Sequence, residues 1–198
     1  MAVIILKHQL LATGLLEGEN GMLIMGIDPG TRNTGLCLIN HDGDRSTIIK
    51  TQTVTTLKGL DLIKQICKIY DAVFYAVMEG SPELIGIEEF SYQGRTITDD
   101  AQNVNRVIGV LYLLSNFAPI MMLQAADWKL ALSRGVPASS LGGSRSLDFA
   151  IRRGAELRTG YSFGNAKQHE IDAAGVALVA GDRAATLKRI VARVTSGR

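Results

Sequence analysis

Two cysteines in 198 residues leave no basis for a disulfide framework or a structural zinc site, because Cys37 and Cys67 stand apart in apolar stretches without metal-ligand spacing. They read as buried thiols of an intracellular protein. No apolar run is long enough to cross a bilayer: residues 108–114 and 171–180 are too short or too interrupted by polar groups. A soluble protein with no membrane partner and a cytoplasmic location follows as the expectation. Residues 2–6 and 10–16 are apolar but lack the basic start and small-residue cleavage site of a secretory signal. Internal repeats and an interdomain linker are missing as well. Residues 1–21 therefore stand as an N-terminal extension, compatible with an upstream segment, a cloning remnant or a short helix packed locally, and residues 22–198 as one domain.

What is present is ample material for a core, with 46% hydrophobic residues. The formal net charge of +2 hides an asymmetry. Residues 1–120 hold 9 Lys/Arg against 13 Asp/Glu and residues 121–198 hold 12 against 6, so the halves carry −4 and +6. A basic C-terminal half suits a polyanionic partner, although uneven surface charge alone is common.

From residue 23 the pattern is regular. Three candidate strands (23–28, 34–40, 47–54) are separated by Pro29-Gly30 and by the turn His41-Asp42-Gly43-Asp44, which is the signature of a β-meander. Apolar residues at helical spacing fill 60–78, and Ser81-Pro82 ends that helix. A fourth strand (84–89) leads through a polar loop into a helix at 98–116, with Thr98 as N-cap and Asp99 and Asp100 in the first turn. Pro119 precedes a fifth strand at 120–124. Helices are predicted at 126–132, 146–157, 167–180 and 184–194, with a Gly/Ser-rich segment at 133–144 that can order on a substrate.

Two of the strands end in nearly the same string, Met25-Gly26-Ile27-Asp28 and Ile85-Gly86-Ile87-Glu88. Side chains alternate along a strand, so each acid shares a face with a glycine, and parallel pairing would put both acids at one sheet edge. The glycines would let a helix approach closely. His169 and Asp172, three apart and followed by Ala173, Ala174 and Gly175, supply such a helix, with Asp172, Gly175, Val176 and Val179 as its buried stripe. A buried carboxylate needs compensation of several kcal/mol, which metal ions provide. Three carboxylates and an imidazole suit Mg²⁺ or Mn²⁺, often a pair in nucleases. Taken singly, Asp28 reads as a turn cap, Glu88 as an exposed strand end and His169 as a surface residue; their joint occurrence favours the metal site. Glu89, on the opposite face from Glu88, reads as structural or solvated, and His8 and His41 as ordinary surface residues.

Residues 26–35, Gly-Ile-Asp-Pro-Gly-Thr-Arg-Asn-Thr-Gly, closely resemble the opening motif of RuvC-type Holliday-junction resolvases. Ile87-Glu88 followed by aromatics resembles the second motif, and His169-Glu170-Ile171-Asp172-Ala173-Ala174 the third. The order and spacing agree over residues 22–180. The resemblance implies an α/β ribonuclease-H-like fold, a five-stranded mixed sheet flanked by helices. It makes Asp28, Glu88, His169 and Asp172 both catalytic and metal-binding, with two Mg²⁺ ions, replaceable by Mn²⁺. It further implies a homodimer acting on branched DNA, chiefly four-way junctions, in the nucleoid or in a phage-infected cell. DNA contacts fall to Arg32, Tyr92, Arg95, Lys129, Arg134 and Arg145. Tyr92 is preferred over Phe90 for stacking on bases, because Phe90 adjoins the strand and fits a core position. Arg145 stands where the family usually has a lysine, which keeps the charge and changes the hydrogen-bond geometry. Divergence of this size suggests a phage-like or distant branch. The helix at 98–116 is the expected dimer interface, on the apolar surface of Val104, Val107, Ile108, Leu111, Tyr112 and Leu114; burial of both its faces within one chain explains that pattern equally well.

Two other classes compete. The string Gly-Ile-Asp-Pro-Gly-Thr also resembles the first phosphate loop of actin and sugar-kinase-like ATPases, which need two such domains and a longer chain. A junction-binding protein without nuclease activity would not account for four mutually repelling or desolvated groups in one place. Among enzymes, another ribonuclease-H-like nuclease is the nearest alternative.

Overall fold

The computed structural model describes residues 21–43, 45–90, 98–134, 136–137, 139 and 146–196. The meander is present as β1 (Met22–Asp28), β2 (Asn33–His41) and β3 (Ser46–Thr55), paired antiparallel. Thr34 closes the turn after β1: its hydroxyl donates to the Gly30 carbonyl at 2.8 Å and accepts from the Gly30 amide at 3.3 Å. Asp28 is thereby released from any capping duty.

Helix α1 (Leu62–Gly80) starts at Asp61, whose carboxylate accepts from the Ile63 and Lys64 amides, and stops where Ser81 turns left-handed ahead of Pro82. Strand β4 (Leu84–Glu89) follows, then α2 (Asp99–Leu111), capped by Thr98 as predicted. A 3₁₀ turn (Tyr112–Asn116) leads to β5 (Ile120–Gln124). The rest is helical: α3 (Ala125–Arg134), α4 (Leu147–Thr159) and α5 (Gln168–Thr195). The sheet order is β3-β2-β1-β4-β5, with β4 parallel to β1 and β5 parallel to β4. This is the five-stranded mixed sheet flanked by helices that was expected.

Each face of the sheet carries its own core. Met25, Ile27, Ile85 and Ile87 point toward α1 and α2. Ile24, Cys37, Ile39 and Leu123 point toward α5, and Trp128 of α3 and Ile151 of α4 close that core from outside. Helix α5 is therefore an inner helix, buried without interruption from Ala173 to Gly181.

That placement corrects several expectations. The two helices predicted at 167–180 and 184–194 are one, because Gly181 does not break the helix; a Cβ there would meet the His41 ring at 2.7 Å. His41 is accordingly a core residue, 3% exposed with Nδ1 2.8 Å from Ser46 Oγ, and not a surface one. Gly175 makes room for Trp128 instead of the sheet, so the narrow stripe of Asp172, Gly175, Val176 and Val179 gives way to a helix packed all round. Cys37 is buried as expected, but Cys67 lies exposed on α1. On α2 and the turn after it, Val107, Ile108, Leu111 and Leu114 are buried within the chain and Val104 packs beside them, which leaves Tyr112 exposed among the six apolar residues of the expected interface.

Candidate active site

Parallel pairing of β1 with β4 in the register Gly26↔Gly86 and Ile27↔Ile87 brings Asp28 and Glu88 to one sheet edge, on the face that α5 covers. The glycines set the helix height. A Cβ at Gly26 would overlap the Ala173 carbonyl oxygen and one at Gly35 the His169 carbonyl oxygen, so only a bare backbone at these points lets the first turns of α5 lie on the strands. His169 and Asp172 are then delivered to the same edge.

The four side chains line one open cleft of about 480 Å³, together with the 29–33 turn, Phe90, Asp100, Val104 and Lys129. His169 Nδ1 donates to Asp28 Oδ2 at 2.6 Å, a contact that favours the protonated imidazole. Gln168 Nε2 donates to Asp172 Oδ1 at 2.7 Å. Lys129 Nζ stands 4.0 Å from Glu88 Oε1.

The electrostatics follow from burial and crowding. Burial, and then the neighbouring Asp28 charge, push Glu88 up to about 8, with Lys129 opposing. Burial likewise raises Asp172, against the hydrogen bond from Gln168. His169 is raised chiefly by its hydrogen bond to Asp28, against the cost of burial. Each of these groups is held toward its protonated form, the condition a divalent cation relieves. The donor set of three carboxylates and an imidazole is one that hard divalent cations accept. Among the described residues no three such side chains stand at coordination spacing as they are. Two of the carboxylates are engaged instead by His169 and Gln168.

Of the residues predicted to meet DNA, Arg32 and Lys129 line the cleft, and Arg134 is exposed at the end of α3 without lining it. Tyr92, Arg95 and Arg145 lie outside the described residues, as does the 1–20 segment. Phe90, expected in the core, is 41% exposed on the cleft wall. Gln168 has no role in the sequence reading, and Asp100, read there only as a first-turn acid, lines the cleft. The first has a legible signal, a side-chain amide four residues before Asp172 on one helix face; the second belongs to the cleft only through the fold.

Comparison with known proteins points one way. The family model described as "Crossover junction endodeoxyribonuclease RuvC" matches residues 24–131. Proteins of that name are similar in sequence: that of Pelotomaculum thermopropionicum is 27% identical over 112 residues, 52% of this chain and 67% of that protein. That of Syntrophomonas wolfei is 32% identical over 84 residues, covering 41% of this chain and 49% of its own length. The chain thus matches between about half and two thirds of the length of these relatives. In three dimensions the chain is similar to Thermus thermophilus RuvC, solved in complex with a Holliday junction substrate, with a TM-score of 0.70 and 18% identity over 83% of this chain and 96% of that one. The yeast mitochondrial Holliday junction resolvase Ydc2 gives a TM-score of 0.59 and 16% identity over 94% and 95%. The shared architecture is the ribonuclease-H-like α/β fold.

Proposed function

This chain belongs to the RuvC family of crossover junction endodeoxyribonucleases, whose model covers more than half of it, and from that premise we propose that it resolves four-way DNA junctions by paired, metal-dependent phosphodiester hydrolysis. The observation that carries this reading is the meeting of Asp28, Glu88, His169 and Asp172 in one cleft from β1, β4 and α5.

Asp28, Glu88, Asp172 and His169 would hold two Mg²⁺ ions, with Mn²⁺ able to substitute. When bound, such a pair supplies an activated nucleophile and stabilises the leaving 3′-oxygen. The chain's own residues do the rest. His169 orients Asp28 through Nδ1, which leaves Nε2 as the ring nitrogen able to meet a metal ion or, in its place, a proton at the cleft. Lys129, beside Glu88, meets a phosphate oxygen and fixes the scissile bond against the carboxylates. Arg32 and Arg134 extend the basic surface along the DNA, with Arg95 and Arg145 assigned the same duty by the family resemblance. Phe90 or Tyr92 stacks on bases at the opened crossover.

A junction presents two equivalent scissile phosphates, so a single site per chain calls for two chains about a matching two-fold axis. The working unit proposed is a homodimer acting on DNA in the cytoplasm; among the described residues no helix is long and apolar enough to cross a membrane. The test is a gel assay with a synthetic four-way junction, a duplex and an RNA–DNA hybrid, each in Mg²⁺, Mn²⁺ or EDTA. Symmetric cuts of the junction alone, lost in EDTA, are expected. Preferential cleavage of the hybrid would move the chain to another ribonuclease-H-like activity, and binding without cleavage in either metal would make it a junction-binding protein.

A further inference from the structure

Between His169 and Asp172 lies an acid that takes no part in the cleft. Glu170 is absent from the cleft wall although His169 and Asp172 both line it. Its carboxylate turns instead to β3, where Thr53 Oγ1 donates to Oε1 at 2.7 Å and Thr51 Oγ1 donates to Oε2 at 3.4 Å. The two threonines are two residues apart and so share one face of the strand. They pair across with Gly35 and Cys37 of β2, directly beside the point where the His169 carbonyl rests on Gly35.

A helix that starts as α5 does needs such a hold. Lys167 occupies its N-cap position and makes no side-chain cap, so the first turn is not fixed by local hydrogen bonds of the usual kind. Its position comes from three strands: the ring of His169 on Asp28 of β1, the backbone of His169 on Gly35 of β2, and Glu170 on β3. The first two contacts and the buried Ile171 seat the turn on the sheet. The Glu170 carboxylate, held through both oxygens by two hydroxyls on a third strand, adds the contact that limits its roll.

We propose that Glu170 is a positioning residue of the metal centre: its grip on Thr53 and Thr51 sets the roll of the first turn of α5 and hence where His169 and Asp172 meet Asp28 and Glu88. The inference rests on the metal-site reading above, and its test separates the two. Thr53→Val keeps the β-branched shape and removes the hydroxyl; Thr53→Ser restores it. Glu170→Ala removes the grip, and Glu170→Gln keeps an acceptor for Thr53. Mn²⁺ affinity is read from the electron paramagnetic resonance signal of free Mn²⁺, junction affinity in EDTA, kcat and KM on a four-way junction, and Tm by circular dichroism.

Thr53→Val and Glu170→Ala should each weaken Mn²⁺ binding and lower kcat by roughly tenfold, the low end of what loss of a supporting partner costs a metal site. Junction affinity in EDTA and KM should stay put, and Thr53→Ser and Glu170→Gln should recover most of both losses. Unchanged Mn²⁺ affinity and kcat in Thr53→Val would overturn the proposal, as would a lower Tm with no change in Mn²⁺ affinity, which would leave a structural tether alone. If Glu170→Ala does not fold, Thr53→Val decides. Asp28→Asn run in parallel distinguishes the failures: wild-type Mn²⁺ binding in Asp28→Asn sinks the metal site itself, whereas loss there with none in Thr53→Val sinks only the role of Glu170.

Discussion

The two faces of the sheet are built by opposite rules. Toward α1 and α2 the strands present Met25, Ile27, Ile85 and Ile87, full-sized side chains that keep the helices at ordinary packing distance. Toward α5, beside Ile24 and Ile39, β1, β2 and β4 present Gly26, Gly35 and Gly86, and the helix comes down onto the space where side chains would be. The second arrangement gives up apolar burial from three strand positions. What it gains is reach: a short aspartate on a helix can meet carboxylates on strands only if the helix is drawn in. One face is thus shaped by stability, the other by the site at its end.

The largest effect that can test this difference is on cleavage. Asp28→Asn, Glu88→Gln or Asp172→Asn should each lower the rate by about 10³-fold or more, since several kcal/mol of charge stabilisation is lost with the metal. Junction binding in a gel shift should persist, because the basic surface is untouched. A near-wild-type rate in any of the three would remove that residue from the proposed tetrad. His169→Ala should fall short of this, with a loss on the order of 10² when single-turnover rates are compared.

Next come paired substitutions on the two faces. Gly26→Ala should lift α5, because its Cβ collides with backbone atoms of Ala173 and Ala177; overpacking of this kind costs about 1–3 kcal/mol. Met25→Ala on the other face should cost about 2–5 kcal/mol through lost burial. Urea titrations give both values. The comparison predicts that the smaller stability loss carries the greater loss of cleavage per folded molecule. Equal specific activities in the two variants would break it.

Much of this was legible beforehand, and for a physical reason. Strand alternation, Pro-Gly punctuation and the repeated Gly-x-acid ending are local signals, and they locate β1, β4 and the acids. The i,i+3 spacing of His169 and Asp172 ahead of Ala173, Ala174 and Gly175 supplies the third element, and the resemblance agrees with it. What stayed hidden depends on which neighbour a residue meets. Gly181 looks like a helix break and is a seat for the His41 ring; Gly175 looks sheet-facing and seats Trp128. Phe90 follows an apolar strand yet faces the cleft, and Glu170 reads as a helix-start acid until β3 is laid beside it. Small residues announce close approach without saying to what.

A subtler contrast lies in pH. Glu88, Asp172 and His169 are all raised in the folded protein, so the folded state holds more protons than the unfolded chain across the window from the ordinary carboxylate range to about 8. Stability of the metal-free protein should therefore be fullest at low pH within that window and decline as pH rises through it. Thermal melts in EDTA at pH 5.5 and 8.5 should give the lower Tm at 8.5, and saturating Mg²⁺ should narrow the gap by stabilising the ionised site. A higher Tm at pH 8.5 in EDTA would mean that the acids do not repel one another as placed.

The smallest effect separates the faces by charge. Lys129, on α3 behind α5, reaches the cleft beside Glu88, while Lys64 is exposed on α1, across the sheet. Each phosphate contact by a lysine releases counterions, and removing one should flatten the slope of log K against log salt by about 1 and weaken binding at low salt across sequences. Lys129→Ala should do this in fluorescence anisotropy with a labelled junction, and Lys64→Ala should not. The free ion pair partner complicates affinity alone, because deleting Lys129 also leaves Glu88 less neutralised and repels phosphate at short range. The slope is the cleaner quantity, since that repulsion is local and adds little counterion release. Equal slopes in Lys129→Ala and wild type, with a loss in Lys64→Ala, would put the DNA on the α1 face and divorce the binding surface from the carboxylate edge.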